Sequence, residues 1–315
     1  MSKNVAITII IPTHNRRELL EETVVSVLAQ SFTDWELYII DDCSTDDTWE
    51  WLASNTQRNV FPLRMEINVE RSRARNIGLS KAQGEFVLFL DDDDLLTTNA
   101  LSSLIRAYDK FPEAIASIGC FMTFDENKNE KYYQAIKKLC CTNIFKDYLF
   151  GSVATAGHTL FKTDAFRRIG GWNEKSSFAE DHEMWFKIAL DENVILIPDI
   201  TLKYRVHGQW RPDNQDEVLY KIRDDAVNKL PEDKRNWGEG ILRARKLLPI
   251  AEQLYANDQM FNAFFVYIRI AINAPSLLVS PISKQVTLIP MLKCLLTSYG
   301  VKAGKKMVSF IKTNK

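Results

Sequence analysis

Residues 85–94 read EFVLFLDDDD, an apolar run that ends in four adjacent aspartates. Short apolar runs that are rich in aromatic and branched side chains predict buried strands. The four carboxylates repel one another, and burying an unpaired charge is costly. A divalent cation would offset that repulsion, since Mg²⁺ is typically held by carboxylates and substrate phosphates. The helix dipole would equally favour acids at a helix N-terminus, so these four residues alone leave both interpretations open.

The sequence before this run alternates strand-like and helical patterns. Strand-like runs occupy residues 5–11 (VAITIII), 35–40 (WELYII) and 63–67. Apolar residues at helical spacing cover 19–28, 44–53, 71–82 and 101–108, with Ser44 as a candidate helix N-cap. This order predicts an α/β fold with a mainly parallel sheet flanked by helices.

Two acidic clusters follow strands of the predicted sheet directly. Asp41 and Asp42 come after the second strand, and Asp91–Asp94 come after the fourth. The carboxyl ends of parallel strands meet at one edge of a sheet, and ligands bind there in open α/β folds. We therefore expect a ligand site built from both clusters.

The pattern changes twice in the rest of the chain. Strands are predicted at residues 115–124, 158–161, 194–197 and 202–206, and helices at 130–150 and 180–191. After residue 213 the pattern is almost wholly helical. We therefore predict a domain of residues 1–213 followed by a helical region, 214–315.

Composition and charge narrow the class of protein. The formal net charge of -1 gives no reason to expect nucleic-acid binding. The five cysteines form no C-x-x-C pair, which indicates neither a zinc site nor a disulfide framework. The first strand follows residues 1–4 directly and no apolar run reaches membrane-spanning length, so we expect a cytoplasmic protein without a signal peptide.

Five segments together resemble the inverting family 2 glycosyltransferases of bacterial surface-polysaccharide synthesis, which have the GT-A fold. The segments are IPTHNR (11–16), IDDCSTD (40–46), RARNIG (73–78), FLDDDD (89–94) and AEDHEMW (179–185). GHTLF (157–161) and GGWN (170–173) are similar to the acceptor-side half of that family. The resemblance covers about residues 5–210 and implies a nucleotide-sugar-binding half, 1–115, and an acceptor-binding half, 116–213.

The resemblance implies a role for each matching donor-side residue. Asp42 would accept a hydrogen bond from the imide N–H of uracil or thymine, a proton that cytosine lacks. The other implied nucleotide-sugar-binding residues are Pro12, Thr13, His14, Asn15, Arg73, Asn76, Asp91 and Asp92. Pro12, Thr13 and His14 would lie along the base, and Asp91 and Asp92 would contact the ribose or the donor sugar.

The resemblance also implies a metal site and a catalytic base. Asp93 would coordinate Mg²⁺ or Mn²⁺, although its acidic neighbours leave that assignment open by one position. His207 would join the metal or the diphosphate, and a structural role for this lone histidine stays equally open. Asp181 would be the base, because Glu180-Asp181 matches the motif that supplies it.

The resemblance implies metal-dependent transfer of a sugar from a UDP- or dTDP-sugar to a hydroxyl of a glycan or lipid-linked glycan. It also implies inversion at the anomeric carbon, whereas the spacing of the residues alone leaves a retaining mechanism open. A catalytically silent sugar-binding relative is the main alternative, and retention of Asp93 and Asp181 argues against it. A sugar-nucleotide pyrophosphorylase would need a glycine-rich loop where residues 12–15 read PTHN. A dinucleotide dehydrogenase would need G-x-G-x-x-G after the first strand, and this sequence lacks it.

The C-terminal segment, residues 276–315, combines apolar residues at helical spacing with a purely basic charge. From Lys284 onward every charged side chain is a lysine. Such a segment either packs as a helix on the catalytic domain or lies in a membrane interface, where anionic lipids attract lysine. We predict peripheral contact with the inner face of the cytoplasmic membrane.

Overall fold

The computed structural model describes residues 5–55, 57–125, 127, 129–133, 136–150, 155–176, 180–206, 215–230, 232–257 and 259–275. The chain divides into two compact units. One comprises Met1–Asn143 and Ala154–Asp213, and the other comprises Ile144–Val153 and Asn214–Lys315. Among the helices of these described residues, none combines the length and hydropathy that a membrane span requires.

The first unit contains one sheet, which has ten strands over the described residues. They are β1 (Ile7–Thr13), β2 (Trp35–Asp41), β3 (Val60–Arg64), β4 (Phe86–Phe89), β5 (Leu95–Leu96), β6 (Ala116–Phe124), β7 (Glu130–Tyr133), β8 (Cys140–Thr142), β9 (Thr159–Lys162) and β10 (Val194–Arg205). Their order is β3-β2-β1-β4-β9-β6-β10-β5, with β7 paired to β6 and β8 paired to β10.

Helices flank the sheet and make up most of the second unit. They are α1 (Arg17–Leu28), α2 (Thr48–Ser54), α3 (Arg71–Lys81), α4 (Ala100–Arg106), α5 (Phe145–Phe150), α6 (Thr163–Arg168), α7 (Glu180–Asp191), α8 (Gln215–Asn228), α9 (Glu232–Ala256) and α10 (Met260–Asn273). Helices α5, α8, α9 and α10 belong to the second unit.

The two halves of the sheet differ in strand direction. Strands β3, β2, β1 and β4 are all parallel, with β1 between β2 and β4. Strand β9 then runs antiparallel to both β4 and β6, while β6 and β10 are again parallel. The carboxyl ends of β1, β2 and β4 therefore lie at one edge, where the loops after them meet.

Strand β1 is buried along its whole length because helices cover both of its faces. Ile9 and Ile11 belong to the large apolar core that also includes residues of α1 and α4. Ile10 points to the other face, where Gly78 of α3 lies so close that a Cβ there would meet Ile10 at 2.6 Å. A continuous β-branched run is what a strand buried on both faces requires.

The predicted α/β architecture with a mainly parallel sheet is confirmed, but several local predictions are wrong. The third strand is Val60–Arg64 instead of residues 63–67, because it pairs with Leu37–Asp41 of β2. Ser44 does not cap a helix. Its hydroxyl accepts a hydrogen bond from the Asn15 N–H, and α2 begins only at Thr48.

The helix predicted over residues 130–150 is also wrong. This stretch contains β7, β8 and only the short α5. Strand β7 pairs with β6, and β8 pairs with β10, so hydrogen bonds to distant strands prevail over the local helical spacing. Conversely, the two strands predicted between residues 194 and 206 form one strand, β10, with register shifts between Leu196 and Leu202.

A buried polar network fastens the start of β4 to β1 and β2. The Thr8 hydroxyl donates to Glu36 Oε1 at 2.6 Å and accepts from the Gly84 N–H at 2.9 Å. The Gln83 N–H donates to the same Glu36 oxygen at 2.8 Å. Glu36 is only 4% exposed, so these donors compensate for the loss of water around its carboxylate.

We expect Thr8→Val to lower the free energy of unfolding by about 2 kcal/mol, because it leaves the buried Glu36 carboxylate short of one donor. Thr8→Ser keeps the hydroxyl and is the matched control. Urea unfolding followed by tryptophan fluorescence measures both variants. A Thr8→Val protein as stable as Thr8→Ser would show that the Thr8–Glu36 hydrogen bond contributes nothing.

Candidate active site

The loops after β1 and β2 are joined at the carboxyl edge of the sheet. The Asp42 N–H donates to the Thr13 carbonyl at 2.8 Å, and His14 Nδ1 lies 2.7 Å from the Asp42 carbonyl oxygen. The Asp42 carboxylate accepts from the Val69 and Glu70 N–H groups at 2.6 and 2.9 Å. Asp42 is therefore held rigidly between three loops, and its contact with a base stays a prediction.

The acidic cluster after β4 is held by residues of the β1 loop. Asp92 accepts from the Thr13 hydroxyl at 2.7 Å and from Arg16 Nη1 at 3.1 Å. The same Arg16 nitrogen donates to Asp93 at 2.9 Å. The carboxylates of Asp92 and Asp93 thus share one guanidinium, which reduces their mutual repulsion.

A second arginine, Arg205 at the end of β10, contacts the other side of the cluster. Its backbone N–H donates to Asp94 Oδ1 at 2.9 Å, and its side-chain Nε donates to the Asp93 carbonyl at 2.9 Å. Its guanidinium also pairs with Glu22 of α1 at 2.5 Å and lies over the Phe124 ring. Arg205 therefore fixes the backbone around Asp93.

The buried Arg75 of α3 connects the acidic cluster to the N-terminus of α7. Its Nη2 lies 2.5 Å from Asp91 Oδ1, and its Nη1 donates to Glu180 at 3.0 Å. The guanidinium also lies over the Trp172 ring, 4.6 Å from the ring centroid. Since Glu180 is the first residue of α7, this bridge places Asp181 next to the donor-side acids.

The acids of the site fall into two groups, those whose pKa is raised and one whose pKa is lowered. Burial raises the pKa of Asp92 to about 6, and burial followed by the neighbouring Glu180 raises the pKa of Asp181 to about 6. The pKa of Asp94 is raised well above its usual range by burial and by Asp91. Burial would also raise the pKa of Asp91, but the adjacent Arg75 lowers it below the usual value.

The site fits a divalent cation that binds together with a substrate. The described residues contain no cluster of three potential ligands, so protein groups alone would not complete a coordination shell. Burial nevertheless raises the pKa of the carboxyl groups of Asp92 and Asp94. The Asp93 side chain, with 17% exposure, is more accessible than the buried Asp92 and Asp94, and that of Asp91 is more exposed still, at 43%. A cation bound beside Asp93 would stabilise the ionised form of the acidic cluster. Phosphate oxygens of a substrate would complete the coordination shell of that cation.

The remaining predicted site residues lie in surroundings that differ from one residue to the next. Pro12 is buried within β1, next to Ile40 of β2. The side-chain amide of Asn76 donates to the Trp172 carbonyl and accepts from the Trp172 N–H. It also donates to Glu174, so Asn76 anchors the loop that contains these two residues. Arg73 is exposed and lies about 200° around α3 from Arg75, away from the acids that Arg75 binds. His207 lies outside the described residues.

Sequence reasoning missed Arg16, Arg75 and Arg205. Arg75 had a detectable signal, since it shares a helix face with Ala74, Gly78 and Leu79, all buried. An arginine on an apolar helix face needs carboxylate partners, and the acidic segments supplied candidates. Arg16 and Arg205 had no comparable signal, because their partners are far away in the sequence.

Comparison with known proteins identifies a family and several relatives with similar sequences. The family described as "Glycosyl transferase family 2" matches residues 8–170. The Campylobacter jejuni GalNAc(5)-diNAcBac-PP-undecaprenol beta-1,3-glucosyltransferase is 39% identical over 104 residues, which cover 32% of this chain and 33% of the relative. The Escherichia coli UDP-Glc:alpha-D-GlcNAc-diphosphoundecaprenol beta-1,3-glucosyltransferase WfgD is 26% identical over 234 residues, which cover 73% of this chain and 83% of the relative.

A Bacillus subtilis glycosyltransferase assigned to teichuronic acid biosynthesis, TuaG, is 32% identical over 148 residues, which cover 46% of this chain and 59% of the relative. The chain thus spans less than two thirds of the length of the Campylobacter and Bacillus relatives.

Solved structures confirm the fold. S. aureus TarS 1–349 in complex with UDP has a TM-score of 0.62 and 18% sequence identity, and the match covers 92% of this chain and 90% of that chain. The α/β architecture is therefore the expected GT-A fold. The family match extends over more than half of the sequence, and this protein belongs to glycosyl transferase family 2.

Proposed function

We propose that this protein transfers a sugar from a UDP- or dTDP-sugar to an acceptor hydroxyl with inversion at the anomeric carbon. The observation that carries the proposal is the Arg75 bridge between Asp91 and Glu180. The bridge joins the carboxyl edge of the parallel strands to helix α7, whose second residue is the candidate base, Asp181. A transferase needs its sugar donor and its base side by side, and this bridge supports such an arrangement.

The donor side favours uracil or thymine. Asp42 is a buried carboxylate between the loops after β1, β2 and β3, and an imide N–H could donate to it. The TarS structures contain UDP or UDP-GlcNAc, and the name of the Escherichia coli relative specifies UDP-Glc. Both observations support a uridine or thymidine diphosphate sugar.

Asp181 would take the proton from the attacking hydroxyl. A general base works best when its pKa lies near the working pH, and burial raises the pKa of Asp181 to about 6. At neutral pH the carboxylate is ionised and more basic than an ordinary aspartate. Attack from the side opposite the leaving diphosphate then inverts the anomeric carbon in one displacement.

Asp93 would hold Mg²⁺ or Mn²⁺ with the donor diphosphate, and His207 is the second protein ligand that the family resemblance suggests. Such an ion supplies Lewis-acid stabilisation of the charge on the departing diphosphate. Arg205 holds the backbone of Asp93 in place, and Arg16 balances its carboxylate. These two arginines therefore keep an acidic site folded.

The names of the relatives support one class of acceptor. Two of them have names that specify an undecaprenol diphosphate glycan. We therefore propose a glycan or lipid-linked glycan acceptor, used in bacterial surface glycan synthesis at the inner face of the cytoplasmic membrane. Peripheral contact through residues 276–315 would bring the enzyme to such an acceptor, and that segment lies outside the described residues.

We expect the purified protein to release UDP or dTDP from a nucleotide sugar in a screen that contains Mg²⁺ or Mn²⁺ and a lipid-linked glycan acceptor. Excess EDTA should abolish release, because the leaving diphosphate loses its counter-ion. Asp93→Ala should lower the rate by about 10²-fold or more, with an unchanged circular dichroism spectrum.

Three outcomes would contradict the proposal. Full turnover in excess EDTA would remove the metal from the mechanism. Nucleotide-sugar binding without turnover for any acceptor would favour the catalytically silent relative. Synthesis of a nucleotide sugar from a sugar phosphate and a nucleoside triphosphate would instead identify a pyrophosphorylase.

The rate at saturating donor should fall about tenfold per pH unit below a pH of about 6, because protonated Asp181 cannot accept the hydroxyl proton. The sign follows from the raised pKa, since the active carboxylate form predominates above it. Asp181→Asn should lower kcat by about 10³-fold at neutral pH.

Calorimetry with UDP separates Asp181 from Asp92, whose pKa is also about 6. We expect Asp181→Asn to bind UDP within about twofold of the wild-type affinity, since the base acts on the acceptor. A loss of UDP affinity as large as the loss of rate would mean that Asp181 holds the donor instead.

A further inference from the structure

Residues with a left-handed backbone converge on the candidate base-binding edge. Among the described residues, the non-glycine positions with positive φ are Asn15 (53°), Cys43 (63°) and Glu70 (69°). They lie in the loops that follow β1, β2 and β3, respectively. Such residues are uncommon and persist where their surroundings determine the conformation, often at functional sites. Asn15 has the largest set of side-chain contacts of the three.

Asn15 ties the β1 loop to the β2 loop with both its backbone and its side chain. Its N–H donates to Ser44 Oγ at 2.9 Å. Its Oδ1 accepts from the Thr45 N–H at 2.7 Å, the Thr45 hydroxyl at 3.3 Å and the Asp46 N–H at 3.3 Å. Because three donors face Oδ1, the amide orientation is fixed and Nδ2 must point the other way.

Nδ2 of Asn15 points to the ring of His14, at 3.0 Å from Nε2. The other ring nitrogen, Nδ1, lies 2.7 Å from the Asp42 carbonyl oxygen, which can only accept a hydrogen bond. His14 Nδ1 therefore carries the proton, and Nε2 accepts from Asn15. The two contacts together select one neutral tautomer and one ring orientation.

We propose that Asn15 is a positioning residue for nucleotide binding, which acts by fixing the tautomer and orientation of His14 and the loop of residues 43–46. Its side-chain groups engage protein partners, so it shapes the base site through its neighbours. The Val69 and Glu70 N–H groups hold the carboxylate of Asp42, and Asn15 is linked to the Asp42 carbonyl through the ring of His14. This inference rests on the proposed nucleotide-sugar donor.

Two substitutions separate the side chain of Asn15 from its backbone conformation. Asn15→Gly removes the side chain but tolerates φ of 53°, whereas Asn15→Ala adds the penalty of a left-handed alanine. Asn55→Ala is the matched control. Asn55 is exposed and its side chain donates to the carbonyl of Trp51, away from the acids.

We expect Asn15→Gly to weaken UDP binding about tenfold by calorimetry, with Asn15→Ala weaker still and Asn55→Ala within about twofold of wild type. At saturating donor, kcat should be unchanged while the donor KM rises. Asn15→Gly that binds UDP like wild type overturns the inference. If the wild-type protein binds neither UDP nor dTDP, the proposed donor fails instead.

The His14 tautomer gives a readout that a merely structural role would not change. Two-bond proton–nitrogen correlation spectra of the imidazole rings distinguish the tautomers, and the chain has only four histidines to assign. We expect the Nδ1–H tautomer of His14 in the wild-type protein and a mixture in Asn15→Gly. A wild-type His14 in the Nε2–H form, or an identical spectrum in both proteins, overturns the inference.

Discussion

The candidate site depends on the buried ion pairs of Arg75. This side chain is 4% exposed and binds Asp91 on one side and Glu180 on the other. The Glu180 side chain is only 10% exposed, so removal of Arg75 would deprive its carboxylate of this partner in a low-dielectric environment. The three partners belong to α3, the end of β4 and the start of α7. Their pairing therefore sets the distance between the donor-side acids and the candidate base.

The topology explains how distant segments reach the same place. Parallel strands β1, β2 and β4 deliver their loops to one edge, and the antiparallel β9 leads the chain back toward α6 and α7. Acids collect at that edge, and arginines from different elements pair with their carboxylates or hold their backbone. Arg16 forms ion pairs with Asp92 and Asp93, and the backbone N–H of Arg205 donates to Asp94. The charge balance is thus a property of the tertiary structure, which suits the proposed binding of a diphosphate together with a cation.

Much of this could be predicted from local sequence, and the failures have physical causes. The strand and acids of residues 85–94 and helix α7 were predictable because an apolar run or an apolar helix face is a local signal. Strands β7 and β8 were not, since their stability comes from pairing with β6 and β10. The role of Ser44 was misjudged because its partner, Asn15, is distant in sequence. Pairing choices among charged residues, such as Arg75 with Glu180, likewise depend on contacts that only folding creates.

The most direct test of the account is a crystal structure of this protein with UDP and Mn²⁺, collected at a wavelength that gives an anomalous signal from manganese. The account predicts a manganese peak at the carboxylate of Asp93 and a uracil ring that lies along His14 with its imide N–H at the carboxylate of Asp42. It also predicts an intact Arg75 bridge that keeps Asp181 on the acceptor side of the diphosphate. Manganese bound away from residues 91–94, or a nucleotide bound away from the edge formed by β1 and β2, would contradict it.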